Sequence, residues 1–339
     1  MRVLLTGASG FVGSHLWDGL TAPDCEVTLL LRNPDNRHRA TQSSPGLRVV
    51  RGGLADGGAL REALEEVTHV LHCAGATKAL RPAGLMAANQ QGTRNLVQAV
   101  NERRDRIERF VLISSLAAGH PATSVSPARE DDPSDPQSAY GRSKLAAESE
   151  VREGCLVPWT ILRPAAVYGP RDTEFLPLFQ AAARGLAPVF GGGKQELSLV
   201  HVKDLAETTL TALTHPDARG DTINVASPEI VTARDLALGI GAALGTRPRP
   251  VSLPWWLLES VCMAQTVWSR CTGRPTILGN GKFRELSAPG WVADTTRLRE
   301  RLGDLCRTPL EAGLQQTAAW YRKEGRLKPG SADSRAKQA

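Results

Sequence analysis

The sequence predicts an α/β fold: a doubly wound parallel sheet with a smaller, mainly helical C-terminal lobe. Two observations carry this expectation. Apolar runs recur at residues 3–5, 27–31, 47–50, 70–71, 110–113, 160–162 and 223–225. Most are short and unbroken rather than alternating, as strands buried on both faces of a parallel sheet require. Helical patterns fill the intervals at residues 14–20, 60–67, 89–102, 140–152 and 204–213. Strand–helix alternation of this kind feeds right-handed crossovers that put helices on both faces.

The first strand runs from Val3-Leu4-Leu5-Thr6 straight into Gly7-Ala8-Ser9-Gly10-Phe11-Val12-Gly13, ahead of a helix carrying Leu16 and Leu20. Glycines at a step of three let the backbone turn tightly and approach phosphates. The helix N-terminus adds open N–H groups and the positive end of its dipole. Residues 7–13 therefore read as a seat for the pyrophosphate of a dinucleotide. The step is Gly-x-x-Gly-x-x-Gly, not the Gly-x-Gly-x-x-Gly of the commonest dehydrogenases.

The remaining chain sets boundaries. Its 339 residues give room for one large or two modest domains. Residues 1–170 with about 200–226 read as the dinucleotide-binding domain, and residues 171–199 with 227–325 as a substrate-binding lobe over the C-terminal edge of the sheet. In that lobe residues 175–193 read as helix followed by a glycine-rich stretch. From Ser227 onward the pattern is mainly helical with proline-rich links. The polar tail, 326–339, reads as disordered.

No apolar run approaches the roughly twenty residues that cross a bilayer. The first apolar stretch is too short for a signal peptide. The formal charge of +6 comes from dispersed arginines without interleaved aromatics, so no nucleic-acid partner is expected. The six cysteines lack Cys-x-x-Cys spacing, so neither a metal nor a disulfide framework is expected, and a cytoplasmic location fits. Residues 251–268 are rich in large apolar groups, including Trp255, Trp256 and Trp268. They read as core or as the lining of an apolar pocket, with contact to a membrane surface as the alternative.

Chemistry gathers at two places. Tyr140-Gly-Arg-Ser-Lys144 sets a phenol and an ammonium four apart, on one face of a helix. A nearby cation favours the phenolate, which brings a hydroxyl with an ordinary pKa of about 10 closer to neutral proton exchange. Val111-Leu-Ile-Ser114-Ser115 ends the fifth strand with paired hydroxyls at the cofactor edge. A serine there can donate to a carbonyl oxygen as charge builds on it, or it can simply cap a turn.

With these motifs in order, the chain resembles an extended short-chain dehydrogenase/reductase. That superfamily includes NAD(P)-dependent epimerases and dehydratases, dihydroflavonol reductases and 3β-hydroxysteroid dehydrogenases. The resemblance spans residues 1 to about 325. It extends to His72-Cys73-Ala74-Gly75, Asn89-x-x-Gly92-Thr93-x-Asn95, Arg163-Pro164-x-x-Val167-Tyr168-Gly169-Pro170 and Val200-His201-Val202-x-Asp204-Leu205. It implies a Rossmann sheet and a Ser-Tyr-Lys site. Tyr140 is then the proton donor in reduction, and Lys144 holds the nicotinamide ribose. Ser115 polarises the carbonyl; Ser114 is the other candidate. Cofactor contacts are implied at Gly7, Ser9, Gly10, Phe11, Val12, Gly13, Leu54, Ala74, Gly75, Asn89, Tyr140, Lys144, Pro164 and Val167. It also implies a homodimer built on helices 89–102 and 140–152.

Strand two ends at Leu31-Arg32-Asn33-Pro34, where an acid usually binds a ribose 2′-hydroxyl and an arginine accommodates a 2′-phosphate. Arg32, assisted by Arg37, favours NADP(H) over NAD(H), and the run resembles the Val-Arg-Asp-Pro of dihydroflavonol reductases. Gly53 stands where relatives carry an adenine-binding aspartate, leaving Leu54 to pack on the adenine. Leu197 stands where relatives that bind sugar nucleotides carry an arginine, although Lys194 and Arg171 could substitute. The expected reaction is ketone/secondary alcohol interconversion on a hydrophobic small molecule of steroid-like, flavanonol-like or β-keto acyl-like class. The alternatives are a sugar-nucleotide epimerase or dehydratase and a non-catalytic NADP-binding regulator.

Overall fold

The computed structural model describes residues 1–21, 25–33, 46–276 and 282–327. Its strands are β1 (Arg2–Thr6), β2 (Glu26–Leu31), β3 (Leu47–Arg51), β4 (His69–His72), β5 (Arg109–Ile113), β6 (Trp159–Pro164), β7 (Ala166–Tyr168), β8 (Leu186–Phe190), β9 (Glu196–His201), β10 (Asp221–Val225), β11 (Ile230–Thr232), β12 (Arg249–Leu253) and β13 (Gly290–Trp291). The helices are α1 (Phe11–Gly19), α2 (Gly57–Ala63), α3 (Pro82–Met86), α4 (Gly92–Asn101), α5 (Ala139–Gly154), α6 (Leu176–Ala183), α7 (Val202–Thr214), α8 (Ala233–Leu244), α9 (Trp255–Thr272), α10 (Lys282–Ser287), α11 (Thr296–Leu302) and α12 (Leu310–Lys323). A π turn, Ala87–Gln91, links α3 to α4.

All seven expected strands join one parallel sheet in the order β10-β6-β5-β4-β1-β2-β3. The chain winds outward from β1 through β2 to β3, then returns to β4 and winds the other way. The order reverses between β1 and β4, and that switch point opens a crevice at the strand ends. Apolar side chains alternate between two cores. Val3, Leu5, Leu29 and Val111 pack against α1 and α7 on one face. Leu4, Val70, Phe110 and Leu112 pack against α2, α4 and α5 on the other. Except at edge strand β3, where Val49 is exposed, strands of this sheet are thus buried on both sides, which explains their unbroken apolar runs.

A third core holds the smaller lobe together. Phe179 of α6, Leu236 and Ile240 of α8 and Tyr321 of α12 pack with Tyr168 and Leu199. Buried Asp172 accepts from the Glu174 and Phe175 N–H groups at 2.9 and 2.8 Å, capping the approach to α6, and from the Tyr321 hydroxyl at 3.0 Å. This lobe contains more strand than the sequence suggests. β8 pairs with β12, and β9 pairs with β7, β11 and β13. The stretch 175–193, expected as helix then glycine-rich coil, holds β8 between α6 and the Gly191–Gly193 turn.

The tryptophan-rich stretch is β12 followed by α9, and it differs from a core or pocket element. Of α9, Leu258, Cys262 and Ser269 are buried. Trp256, Met263, Val267 and Trp268 are exposed. Of the expected tail, Arg326 lies over the Trp320 ring and Leu327 is buried in the third core; residues 328–339 lie outside the described residues. Among the described residues, no helix is long and apolar enough to cross a membrane.

Candidate active site

Gly7 leaves β1 with φ 79°. A Cβ there would sit 2.6 Å from the Ala74 backbone nitrogen, so the ends of β1 and β4 touch with room for hydrogen alone. A Cβ on Gly13 would lie 2.0 Å from the Gly7 carbonyl oxygen. The Gly10 N–H donates to that same oxygen at 2.9 Å and closes the turn. No side chain caps α1, so its first-turn N–H groups, at Phe11 and Val12, stay open for an anion. Ser9 and Gly10 are exposed at the lip, with Phe11 and Val12 half-buried behind them. This side-chain-free cradle fits a dinucleotide pyrophosphate.

Arg32 is exposed at the end of β2. A Cβ on Gly53 would meet its Cγ at 3.4 Å, so the arginine stem lies across the glycine that replaces the expected aspartate. Asp56, three residues on, caps α2 by accepting from the Gly58 and Ala59 N–H groups, both at 3.0 Å. Leu54 is half-buried against Gly92 of α4, and its carbonyl accepts from Asn95 at 2.8 Å. Arg37 lies outside the described residues.

The loop after β4 is held by a chain of hydrogen bonds whose protons can be assigned. Thr93 donates to the Asn89 carbonyl at 2.6 Å, so its oxygen accepts from His72 Nε2 at 3.0 Å. His72 Nδ1 then accepts from the Thr6 hydroxyl at 2.8 Å, and Thr6 accepts from the Ala74 N–H at 3.2 Å. Each hydroxyl has one proton to give, so the network needs neutral His72. Burial, aided by the Lys144 charge, pulls its pKa down to about 3.

Asn89, expected as a cofactor contact, is hydrogen-bonded to protein atoms. Its Oδ1 accepts from the Ala76 N–H at 2.7 Å, and its Nδ2 donates to the Ala76 carbonyl at 3.0 Å and to Ser143 Oγ at 2.8 Å. The π turn aims this buried amide at protein atoms. Asn89 therefore ties the loop carrying Ala74 and Gly75 to α5. Gly75 is exposed, with Asn89 Oδ1 directly behind it.

Ser138 caps α5 by accepting from the Gly141 N–H at 3.0 Å. A Cβ on Gly141 would sit 2.2 Å from the Ala117 carbonyl oxygen, so the first turn of α5 lies hard against the Leu116–Ala118 turn. That contact sets Tyr140 beside Ser115. Ser115 Oγ accepts from the Ala117 N–H at 3.2 Å, which leaves its own proton to donate. It both caps a turn and faces the phenol. Ser114 points the other way: its buried hydroxyl donates to Glu148 at 2.5 Å. Glu148, itself fully buried, also accepts from Arg163 Nε at 2.9 Å and Nη2 at 2.7 Å, and from Arg152 at 2.8 Å. Of the two serines, Ser115 is the one available to a substrate.

Burial raises the Tyr140 pKa, and the Ser115 hydroxyl opposes this; Glu285, Glu174 and Cys73 push it further up. Lys144 differs from the simple expectation of a cation beside a phenolate. Its Nζ donates to the Ile113 carbonyl at 2.6 Å, because a buried ammonium needs an acceptor and the end of β5 supplies one. Burial pulls its pKa down to about 8. Pro164 is buried at the end of β6, and Val167 on β7 packs against the core that includes Leu16 and Trp17 of α1.

Sequence reasoning missed α10. Lys282 pairs with Glu285, whose Oε2 is buried without a hydrogen-bond partner. Gln195 fixes this helix end by donating to the Leu286 and Ala288 carbonyls at 3.2 and 2.9 Å, and Trp291 Nε1 donates to the Glu285 carbonyl at 2.8 Å. Charge on Glu285 reaches Tyr140 from a segment whose sequence shows nothing beyond an ordinary amphipathic pattern.

Residues 3–226 match the model of the NAD dependent epimerase/dehydratase family. The chain belongs to this family. Among its curated relatives in the epimerase/dehydratase family is ceramide reductase of Caulobacter vibrioides, 31% identical over 326 residues that cover 96% of each chain. Another is dTDP-4-dehydro-6-deoxy-D-allose reductase of a Streptomyces species, 30% identical over 346 residues covering 94% of this chain and 96% of that one. The solved structure of MoeE5 in complex with UDP-glucuronic acid and NAD has a TM-score of 0.74 at 26% identity, covering 96% of this chain and all of that one. Membership makes the chain an NAD(P)-dependent enzyme of an epimerase and reductase family.

Proposed function

We propose that this family member is an NADP(H)-dependent oxidoreductase that interconverts a ketone and a secondary alcohol on a hydrophobic small molecule. The observation that carries the reading is the fate of the positions a nucleotide diphosphate would need. Leu197 packs on the third core, where an arginine is expected in sugar-nucleotide enzymes. Arg171, one substitute, is spent on α1: it donates to Ser14 at 3.1 Å and pairs with Asp18. It does so from a left-handed backbone, φ 75°. The relative named ceramide reductase favours the same substrate class.

Arg32 supports NADP(H), because an exposed guanidinium at the end of β2 suits a 2′-phosphate. Bound cofactor would supply a hydride at nicotinamide C4. The chain's own groups handle the oxygen and the proton. Ser115 donates to the carbonyl oxygen as negative charge develops. Tyr140, kept protonated by its burial, delivers the proton. Lys144 holds the nicotinamide ribose after exchanging the Ile113 carbonyl for it. Asn89 and Gly141 act as positioning residues for the two sides of the crevice.

Lys194 favours a second reading. It is exposed after the glycine turn Gly191–Gly193, where a cation could meet a diphosphate. In that case the protein would be a sugar-nucleotide epimerase or dehydratase that returns its cofactor unchanged. A panel of apolar ketones and of UDP- and dTDP-sugars separates the two. Net NADPH consumption with an apolar ketone is expected; sugar-nucleotide interconversion without net cofactor change supports the second reading.

A further inference from the structure

We infer that α9 docks this protein on an anionic lipid surface. The helix has 18 residues, about 27 Å of rise, and two opposed faces. Leu258, Cys262 and Ser269 turn inward. On the opposite side lie Trp256, Met263, Val267 and Trp268, exposed to 66, 54, 59 and 50%. A soluble monomer seldom leaves a row of large apolar groups in water. The helix is not a bilayer span: Glu259 and Arg270 interrupt it, and no described helix is long and apolar enough to cross. Its length and its tryptophans near both ends instead suit a helix lying in the interface plane.

Charge selects the occupant. Residues 245–276 contain Arg247, Arg249, Arg270 and Arg274 against one acid, Glu259. All four arginines are exposed, and none takes part in an ion pair among the described residues. They stand before and after the apolar row, as cations that meet lipid headgroups do while the apolar groups sink between them. The position also has a consequence for access. α9 packs on α10, whose Glu285 acts on Tyr140, and Trp255 at its start stacks on Phe190 at 6.0 Å. α9 thus rests by its inner face on elements beside the crevice, so a docked protein would hold its site near the bilayer, where an apolar substrate partitions.

Flotation of the full chain with phosphatidylcholine vesicles, with and without phosphatidylglycerol, tests the inference. The protein is expected to float with the anionic vesicles, to be released by salt, and to float poorly with phosphatidylcholine alone. Trp256→Glu with Val267→Glu should lower partition at least tenfold, as should Arg270→Ser with Arg274→Ser, since each basic residue contributes about a fivefold preference for an anionic surface. Unchanged thermal melting and NADPH binding would show that these exposed-site variants are folded. Wild-type protein that stays with the soluble fraction, or variants that float undiminished, would overturn the inference. So would a lipid-free dimer, seen by sedimentation, that the same Glu substitutions dissociate, because the face would then be an interface between two copies.

Discussion

The Lys144 ammonium donates to the Ile113 carbonyl at 2.6 Å, joining α5 to the end of β5. It lies in the family's expected position, yet its charge rests on the sheet. Its pKa is pulled down to about 8 by burial, so the free enzyme loses this cation just above neutrality. NADPH affinity is therefore expected to be level from about pH 7, above the range where its 2′-phosphate is protonated, to about pH 8 and to weaken beyond it. Titrating Kd against pH by fluorescence checks this. Lys144→Met should bind more weakly and remove the pH dependence near 8; a variant that keeps that dependence would assign it to another group.

Ser115 and Ser114 should separate cleanly on substitution. Ser115→Ala removes the donor proposed for the reacting oxygen and is expected to cost about 10²–10³ in kcat, with little change in Tm. Ser114→Ala removes a bond to a buried carboxylate, so it should cost about 1–3 kcal/mol of stability and leave kcat within a few-fold. Kinetics and thermal melts on the two variants read both quantities, and the reverse pattern would exchange their roles.

Arg32→Ala should raise the KM for NADPH at least tenfold and leave that for NADH nearly unchanged, because a 2′-phosphate contact is a charge-assisted bond. Equal loss with both cofactors would mean that Arg32 acts through the fold instead.

His72 should make the fold acid-sensitive. Its folded pKa, about 3, lies below its ordinary value of about 6.5. The unfolded chain binds the extra proton between those values, so stability is complete above about 6.5 and declines as the pH falls toward 3. Chemical denaturation at stepped pH is the check. His72→Asn should lower stability at neutral pH and flatten the slope over that window.

The parallel sheet was legible because residues such as Val3–Leu5 and Phe110–Ile113 are buried on both faces, and unbroken apolar runs record that directly. The strands of the smaller lobe left no such record. β8 and β12 each contain a proline, β7 and β11 span three residues and β13 two, so neither length nor alternation marks them. In the site, Gly7, Tyr140 and Lys144 announce themselves by spacing. The Glu148–Arg163 pair does not, since its members become neighbours when α5 packs on β6. The bonds of Asn89 to Ala76 and Ser143 are not legible either, because the sequence gives the amide and not its direction. The exposure of α9 was hidden for a related reason: both of its faces are apolar, and composition does not say which one the core takes.

Hydride transfer to an apolar ketone is the central claim. Turnover of such a ketone with NADPH carrying deuterium at both C4 positions tests it most directly, with mass spectrometry of the product. One deuterium on the new carbinol carbon, one NADPH consumed per alcohol formed, and at least a hundredfold loss in Tyr140→Phe are expected. Product without deuterium, or undiminished turnover in Tyr140→Phe, would contradict it.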